Sequence, residues 1–236
     1  MEKSLINDIS IKEEDDQGYP ILFQDQDIRK MLELADVSSK DIFLDLGCGY
    51  GQNLKIALTE FNVKKVIGYE NNLERQKNAK NRLEELKRIG ILKSRWVIKN
   101  DDFDEAMKSN LTKKLLKDVT VVFYGLSPYT GFLNKLNKNL SSGCRLICYY
   151  NCLFPEILPI RVDFPFYLHK KPFKKPKSIR EWLSTIVQKR KSIFPNKQKP
   201  TISELWDELK HDYDVYGEHD SVEDYKTRLK KIVKKK

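Results

Sequence analysis

The sequence predicts an α/β fold: a doubly wound, mostly parallel sheet followed by a charged helical extension. Three observations predict it. Short apolar runs alternate with helix-length amphipathic stretches between residues 41 and 150, the pattern of parallel strands joined by helices. A glycine-rich turn carrying Gly47, Gly49 and Gly51 joins the first apolar run to the first of these helices. The fourth run, residues 119–124, is mostly β-branched and continuous, as expected of a strand buried on both faces.

Taken in order, residues 1–18 form a flexible N-terminal segment that turns acidic at 13–16, and the sheet domain covers 19–173. The first strand is 41–46, a helix follows over 52–60, and the second strand is 63–70. Asn72 can cap a helix running to about Ile89, because Leu73, Ala79, Leu83, Leu86 and Ile89 roughly keep the helical period. A third strand over 95–99 leads into a helical stretch to Lys117. After the fourth strand, residues 128–140 can form a helix, and Ser141, Ser142 and Gly143 turn the chain into a fifth strand over 144–150. The proline-broken stretch 154–173 supplies one or two last strands as a hairpin. The extension, 174–236, opens three helices with capping-box pairs, Ser178/Glu181, Thr201/Glu204 and Ser221/Asp224. Each has one apolar face, such as Trp182, Leu183, Ile186 and Val187 on the first. These faces pack on the sheet domain, on each other or on a partner chain.

The chain has 236 residues, 40% of them apolar, enough for one cored domain with an appendage. No apolar run approaches the roughly 18 residues of a membrane-spanning helix, and no apolar signal segment follows Met1. A soluble, cytoplasmic protein that binds no membrane is expected. The net charge of +10 is concentrated late: residues 1–160 hold 24 Lys/Arg against 23 Asp/Glu, 161–199 hold 12 against 2, and 200–228 hold 3 against 9. Blocks of alternating sign mark an element with a surface role of its own. Residues 170–199, with Phe173 among the lysines, suit nucleic acid, or form a solvated face that meets the acidic segment 204–224 of the same chain.

Four cysteines do not make a disulfide framework in a chain of this size. Cys144, Cys148 and Cys152 recur every four residues, but the first two fall in an apolar strand-like run, where cysteine is an ordinary buried residue. His211, Asp212, Asp214, His219 and Asp220 match no metal-ligand spacing and read as a polar loop between helices. No metal is expected.

The strongest functional signal is Asp45-Leu46-Gly47-Cys48-Gly49-Tyr50-Gly51. Glycine lets a turn tighten and lets backbone approach a ligand with no Cβ in the way. Dinucleotide sites space their glycines G-x-G-x-x-G, and here the third glycine comes one residue early. An acid two positions before the first glycine also suits a ligand with an ammonium group rather than a pyrophosphate. Glu70 ends the second strand, where a carboxylate can accept from both ribose hydroxyls. Asn100, Asp101 and Asp102 end the third, where a carboxylate can accept from an adenine amine. Each acid alone could equally be a helix N-cap. Three at consecutive strand ends, with the glycine turn on the first, describe a nucleoside pocket at the carboxyl edge of the sheet.

This order of motifs resembles the class I S-adenosylmethionine-dependent methyltransferases over roughly residues 19–165. The resemblance implies a Rossmann-like, doubly wound seven-strand sheet and S-adenosyl-L-methionine as cofactor. It puts Asp45 and the backbone of Gly47, Cys48 and Gly49 at the methionine part, Glu70 with Asn71 at the ribose, and Asp101, or else Asp102, at the adenine amine. Residues 31–35, Gly68-Tyr69-Glu70 and 121–126 are similar to the small seven-strand protein-lysine methyltransferases of archaea and mitochondria, which implies a lysine acceptor on a protein. Those enzymes usually carry an acid–glycine–arginine triplet where Tyr50, Gly51 and Gln52 stand, and they end near the last strand.

A lysine amine, with a pKa near ~10.4, must lose a proton before it attacks, which a desolvated aromatic pocket favours. Tyr124, Tyr129, Tyr149 and Tyr150, at or after the ends of the fourth and fifth strands, can line such a pocket or simply close the edge of the core. Tyr124 is the catalytic candidate. Ser127-Pro128-Tyr129 is an incomplete form of the motif with which amino-methylating nucleic-acid enzymes hold their target, so an RNA or DNA methyltransferase using the basic extension is the alternative. A non-catalytic, cofactor-binding interaction module is the second.

Overall fold

The computed structural model describes residues 23–92, 95–125, 132–149 and 157–189, with 201, 203 and 204. The elements in order are α1 (Asp25–Leu34), β1 (Ile42–Leu46), α2 (Gln52–Thr59), β2 (Lys65–Glu70), α3 (Leu73–Arg88), β3 (Arg95–Asn100), α4 (Phe103–Ala106), α5 (Asn110–Asp118), β4 (Val121–Tyr124), α6 (Phe132–Asn139), β5 (Arg145–Tyr149), β6 (Arg161–Asp163), β7 (Phe166–Lys170) and α7 (Ile179–Lys189). One seven-stranded sheet runs β3-β2-β1-β4-β5-β7-β6. Its first five strands pair in parallel, and β7 and β6 close it as an antiparallel hairpin. This is the Rossmann-like sheet that the sequence predicts, with the hairpin inside 154–173.

Side-chain alternation along the strands sorts the core into two layers. Leu44, Leu46, Val122, Tyr124 and Leu146 pack with residues of α5, α6 and α7. Phe43, Val66, Val121, Phe123 and Ile147 pack with residues of α1, α2 and α3. Helix α1 is an addition to the elements expected from the sequence. Its buried Ile28, Met31, Leu32 and Leu34 recur at helical spacing and cover the sheet face beside α2.

Local chemistry sets where elements stop. The Asn72 side chain caps α3 by accepting the Arg75 N–H at 3.0 Å, as its sequence position suggests. The stretch expected as one helix to Lys117 is two, because the Ser109 hydroxyl accepts the Leu111 N–H and caps a fresh start at α5. Strand β4 begins two residues later than its β-branched run. Thr120 instead donates its N–H to the Ile42 carbonyl and its hydroxyl to Asp41, and Asp41 also pairs with Arg145.

Helix α7 shows what the first extension helix packs on. Ser178 Oγ accepts the Glu181 N–H at 3.1 Å, and Trp182, 2% exposed, donates its indole N–H to the Ile157 carbonyl at 3.2 Å. Trp182, Leu183 and Ile186 belong to the same core layer as β1 and β4. Thr201 and Glu204 exchange the two bonds of a capping box, whereas Ser221 and Asp224 lie outside the described residues.

Of the basic segment, Lys171 donates its ammonium to the Asn137 and Leu140 carbonyls at the end of α6, and the Lys174 carbonyl accepts the Leu158 N–H. Lys170, Lys174, Lys175 and Lys177 are exposed. Residues 190–200 lie outside the described residues. Among the described residues no helix is long and apolar enough to cross a membrane.

Candidate functional site

Strands β1, β2 and β3 run in parallel register, so their carboxyl ends bring three polar segments side by side. Asp45 pairs with Gly68, and Glu70 with Asn100. The turn after β1 is tied to β2 by the N–H groups of Gly47 and Cys48, both donating to the Tyr69 carbonyl at 2.9 Å. Gly47, Gly49 and Gly51 have φ of 82°, 51° and 75°, the left-handed region that favours glycine. Crowding explains Gly51, and the left-handed φ alone explains Gly49. A Cβ on Gly51 would come within 2.9 Å of the Ala79 Cβ, so that position lets α3 close on the turn, whereas a Cβ on Gly49 would meet nothing within 4 Å. Gly49 therefore opens bare backbone to the space above the sheet edge.

Asp45 is fully buried, and one of its oxygens accepts from the Asn53 side chain at 3.0 Å. The other oxygen, Oδ1, is buried with no hydrogen-bond partner among the described residues. Burial raises its carboxyl to about 7, against the opposing Asn53 bond and with a smaller push from the charge of Glu70. A buried acceptor left unmatched costs free energy unless a partner arrives. Glu70, itself 5% exposed, accepts the Gly49 N–H at 2.8 Å with one oxygen and the Asn72 N–H at 2.9 Å with the other. The carboxylate thus locks the glycine turn to the start of α3.

Asn100 donates its side-chain amide to the Glu70 and Asn71 carbonyls at 3.1 and 3.0 Å, and this binds the end of β3 to that of β2. Asp101 is exposed and makes no side-chain hydrogen bond among the described residues, whereas Asp102 caps α4 by accepting the N–H groups of Asp104 and Glu105. Asn71 is exposed beside them. The Cys48 side chain points away, into the core: a Cβ on Gly68 would stand 2.6 Å from its sulfur, and burial holds its thiol well above the ordinary range. Cys48 therefore offers backbone only. Asn53, which the sequence reading passes over, is placed by α2 in its first turn; its position eight residues after Asp45 is a visible but unspecific signal.

Tyr124 ends β4, level with Leu46 and Cys148. It is buried, its ring stacked on Phe132 at 4.2 Å, on the sheet face opposite Asp45. Tyr149 ends β5 half-buried, on the Asp45 side. Ser127, Pro128, Tyr129, Tyr150, Cys152 and the polar cluster between His211 and Asp220 lie outside the described residues. Cys144 and Cys148 are buried in the core.

The family model described as mycolic acid cyclopropane synthetase matches residues 22–235. A protein-lysine N-methyltransferase of Saccharolobus islandicus (strain REY15A) is 36% identical over 122 residues, covering 51% of this chain and 68% of that protein. An RNA methyltransferase from Salinibacter ruber, solved in complex with S-adenosyl-L-homocysteine, superimposes with a TM-score of 0.54 over 66% of this chain and 97% of that one, at 23% identity. Its likeness speaks for the fold. With this sheet, and a family match that spans both the sheet and the extension, the chain belongs to the mycolic acid cyclopropane synthetase family and is a class I, S-adenosylmethionine-dependent methyltransferase.

Proposed function

We propose that the enzyme transfers a methyl group to a lysine amine of a protein, and that the cofactor lies along the carboxyl edge from Asp101 to the glycine turn. The lysine acceptor is carried by the 36% identical archaeal protein-lysine N-methyltransferase. The cofactor site is carried by the orphaned Oδ1 of Asp45, a buried acceptor suited to an ammonium group, next to the open backbone at Gly49. Glu70 accepts the ribose hydroxyls, with Asn71 at the rim. Asp101, whose carboxylate is not used in capping, accepts the adenine amine, which makes it the better choice over Asp102.

Bound S-adenosylmethionine supplies an electrophilic methyl group on a sulfonium centre. A lysine amine would have to be held in its neutral form to accept that methyl group. The protein holds the two reactants in line and excludes water from the amine, which favours the neutral form. Tyr124, at the end of β4, is proposed as the catalytic residue. Tyr124→Phe keeps the stacked ring, so kcat should fall by about tenfold or more while affinity for S-adenosylhomocysteine stays within about twofold; an unchanged kcat removes the hydroxyl from the mechanism.

Asp45 makes binding depend on pH. In the free protein its carboxyl is raised to about 7; an ammonium partner stabilises the ionised form and lowers that pKa in the complex. Affinity for S-adenosylmethionine is then full above pH 7 and is lost as pH falls below it, by up to tenfold per unit. Without cofactor the sign reverses for stability. A raised carboxyl favours the folded state below the unfolded pKa of 3.8 and loses that contribution as pH rises to about 7, so Asp45→Asn should raise Tm at pH 8. Calorimetric titrations between pH 6 and 8 check the first claim and thermal melts the second.

Methyl-labelled cofactor incubated with the enzyme and cell extract, then digested with protease or nuclease, tests the acceptor. Label released by protease and recovered as methyl-lysine supports the proposal. Label released by nuclease would replace it with RNA or DNA methylation, and absence of label with a non-catalytic role.

A further inference from the structure

The edge of the sheet opposite the glycine turn carries one cation for each of six neighbouring strands. In the order β3-β2-β1-β4-β5-β7, Arg95 opens β3, and Lys64 and Lys40 stand just before β2 and β1. Lys117 and Lys138 lie in the last turns of α5 and α6, the helices that lead into β4 and β5. Lys170 ends β7, whose antiparallel course brings it level with Arg145 at the start of β5. All six are exposed, and no side chain among the described residues pairs with them. Five strand spacings separate the first from the last, about 24 Å.

The acids of the same connections are already engaged. Asp41 is buried and paired with Arg145. Asp36 pairs with Arg161 and Glu60 with Arg29, each at 2.6 Å. Asp118 is the one exposed acid there with no ion pair among the described residues. The carboxyl edge has the opposite bias, because Asp45, Glu70, Asp101 and Asp102 gather at its strand ends. The molecule is thus polarised along its strands, and a polyanion is drawn to the amino edge and turned away from the carboxyl edge.

We propose that the amino edge docks double-stranded DNA by its phosphates, as an anchor and not as the methyl acceptor. In a duplex the phosphates of one strand recur about every 3.4 Å along the axis, so the row of cations faces about seven base pairs. Ser39, Asn62, Ser141 and Ser142, exposed between the cations, add hydroxyl and amide donors for phosphate oxygens. The exposed apolar residues of this edge, Ile89, Ile91 and Ile160, stand at its two ends, whereas a protein interface has an apolar centre and few lysines. No exposed aromatic is present among the described residues to stack the bases of a single strand. Lys64 and Glu70 lie six residues apart on the run through β2, about 20 Å, so a duplex on the lysines keeps its bases far from the carboxyl edge.

The test is fluorescence anisotropy of a short labelled DNA duplex with the full chain over a range of salt, with calorimetry of S-adenosylhomocysteine alongside. The wild-type log–log slope should be about −5, six contacts at about 0.9 each. Lys40→Gln, Lys64→Gln and Lys117→Gln combined should reduce it to about −3 and weaken binding by about tenfold or more. Lys77→Gln, exposed on α3 away from this edge, should leave DNA affinity within about twofold. Affinity for S-adenosylhomocysteine should stay within about twofold in every variant, with or without duplex. Unchanged DNA binding in the triple variant overturns the edge as the docking surface, and binding of polyglutamate or an RNA duplex as tight as that of DNA overturns its partner. Methyl label on the DNA overturns the anchoring role and the lysine reading together, whereas loss of docking alone leaves the lysine reading standing.

Discussion

Glu70→Ala is expected to weaken S-adenosylmethionine binding by about 1–3 kcal/mol, between roughly fivefold and more than a hundredfold in Kd. In the proposed site the substitution removes the ribose acceptors. The structure supplies a second cause: the same carboxylate accepts the Gly49 and Asn72 N–H groups, so its loss also frees the glycine turn from the start of α3. Glu70→Gln separates the two. The amide retains one acceptor oxygen but cannot take both backbone N–H groups, so it should fall between wild type and alanine. Calorimetry on the three proteins checks this ordering, and wild-type affinity in Glu70→Ala would remove Glu70 from the site.

The largest expected loss of stability lies in the extension. Trp182→Ala should cost about 3–5 kcal/mol, the usual range for deleting a buried tryptophan. The side chain is 2% exposed within the core layer that holds Leu46 and Tyr124, and its removal leaves the Ile157 carbonyl without its indole donor. Denaturant unfolding followed by circular dichroism should show the loss as one cooperative shift of the whole transition, because α7 and the sheet share that layer. An early separate transition for the variant, with the main one unmoved, would mean that α7 unfolds on its own.

What the sequence reveals about this site follows from which interactions are local. The glycine turn is legible because three left-handed residues at one strand–helix junction require glycine, and the acids at the ends of β2 and β3 are legible because parallel register makes strand ends coincide. Asn72 and Ser178 are legible because an N-cap bonds a neighbour two or three residues away. Phe23 is not legible, because its partner Tyr149 lies more than a hundred residues away, and Asn53, eight residues beyond Asp45 across the glycine turn, is only an unspecific signal. The choice between Asp101 and Asp102 is of the same kind: either can cap a helix, and only the bonds from Asp104 and Glu105 to Asp102 show which one does. Helix α1 has the apolar spacing of a helix, but its N-cap position, Gln24, makes no side-chain capping bond, so the start signal that marks α3, α4, α5 and α7 is missing.

The central claim, a cofactor lying along the carboxyl edge over β1, β2 and β3, is tested most directly by amide hydrogen exchange with and without S-adenosylhomocysteine. Ligand that fills the proposed site should slow exchange in residues 45–51, 70–72 and 100–102, and leave 161–177 at their rates in the free protein. Protection confined to 161–177, or absent from 45–51 and 70–72 at saturating ligand, would contradict the account.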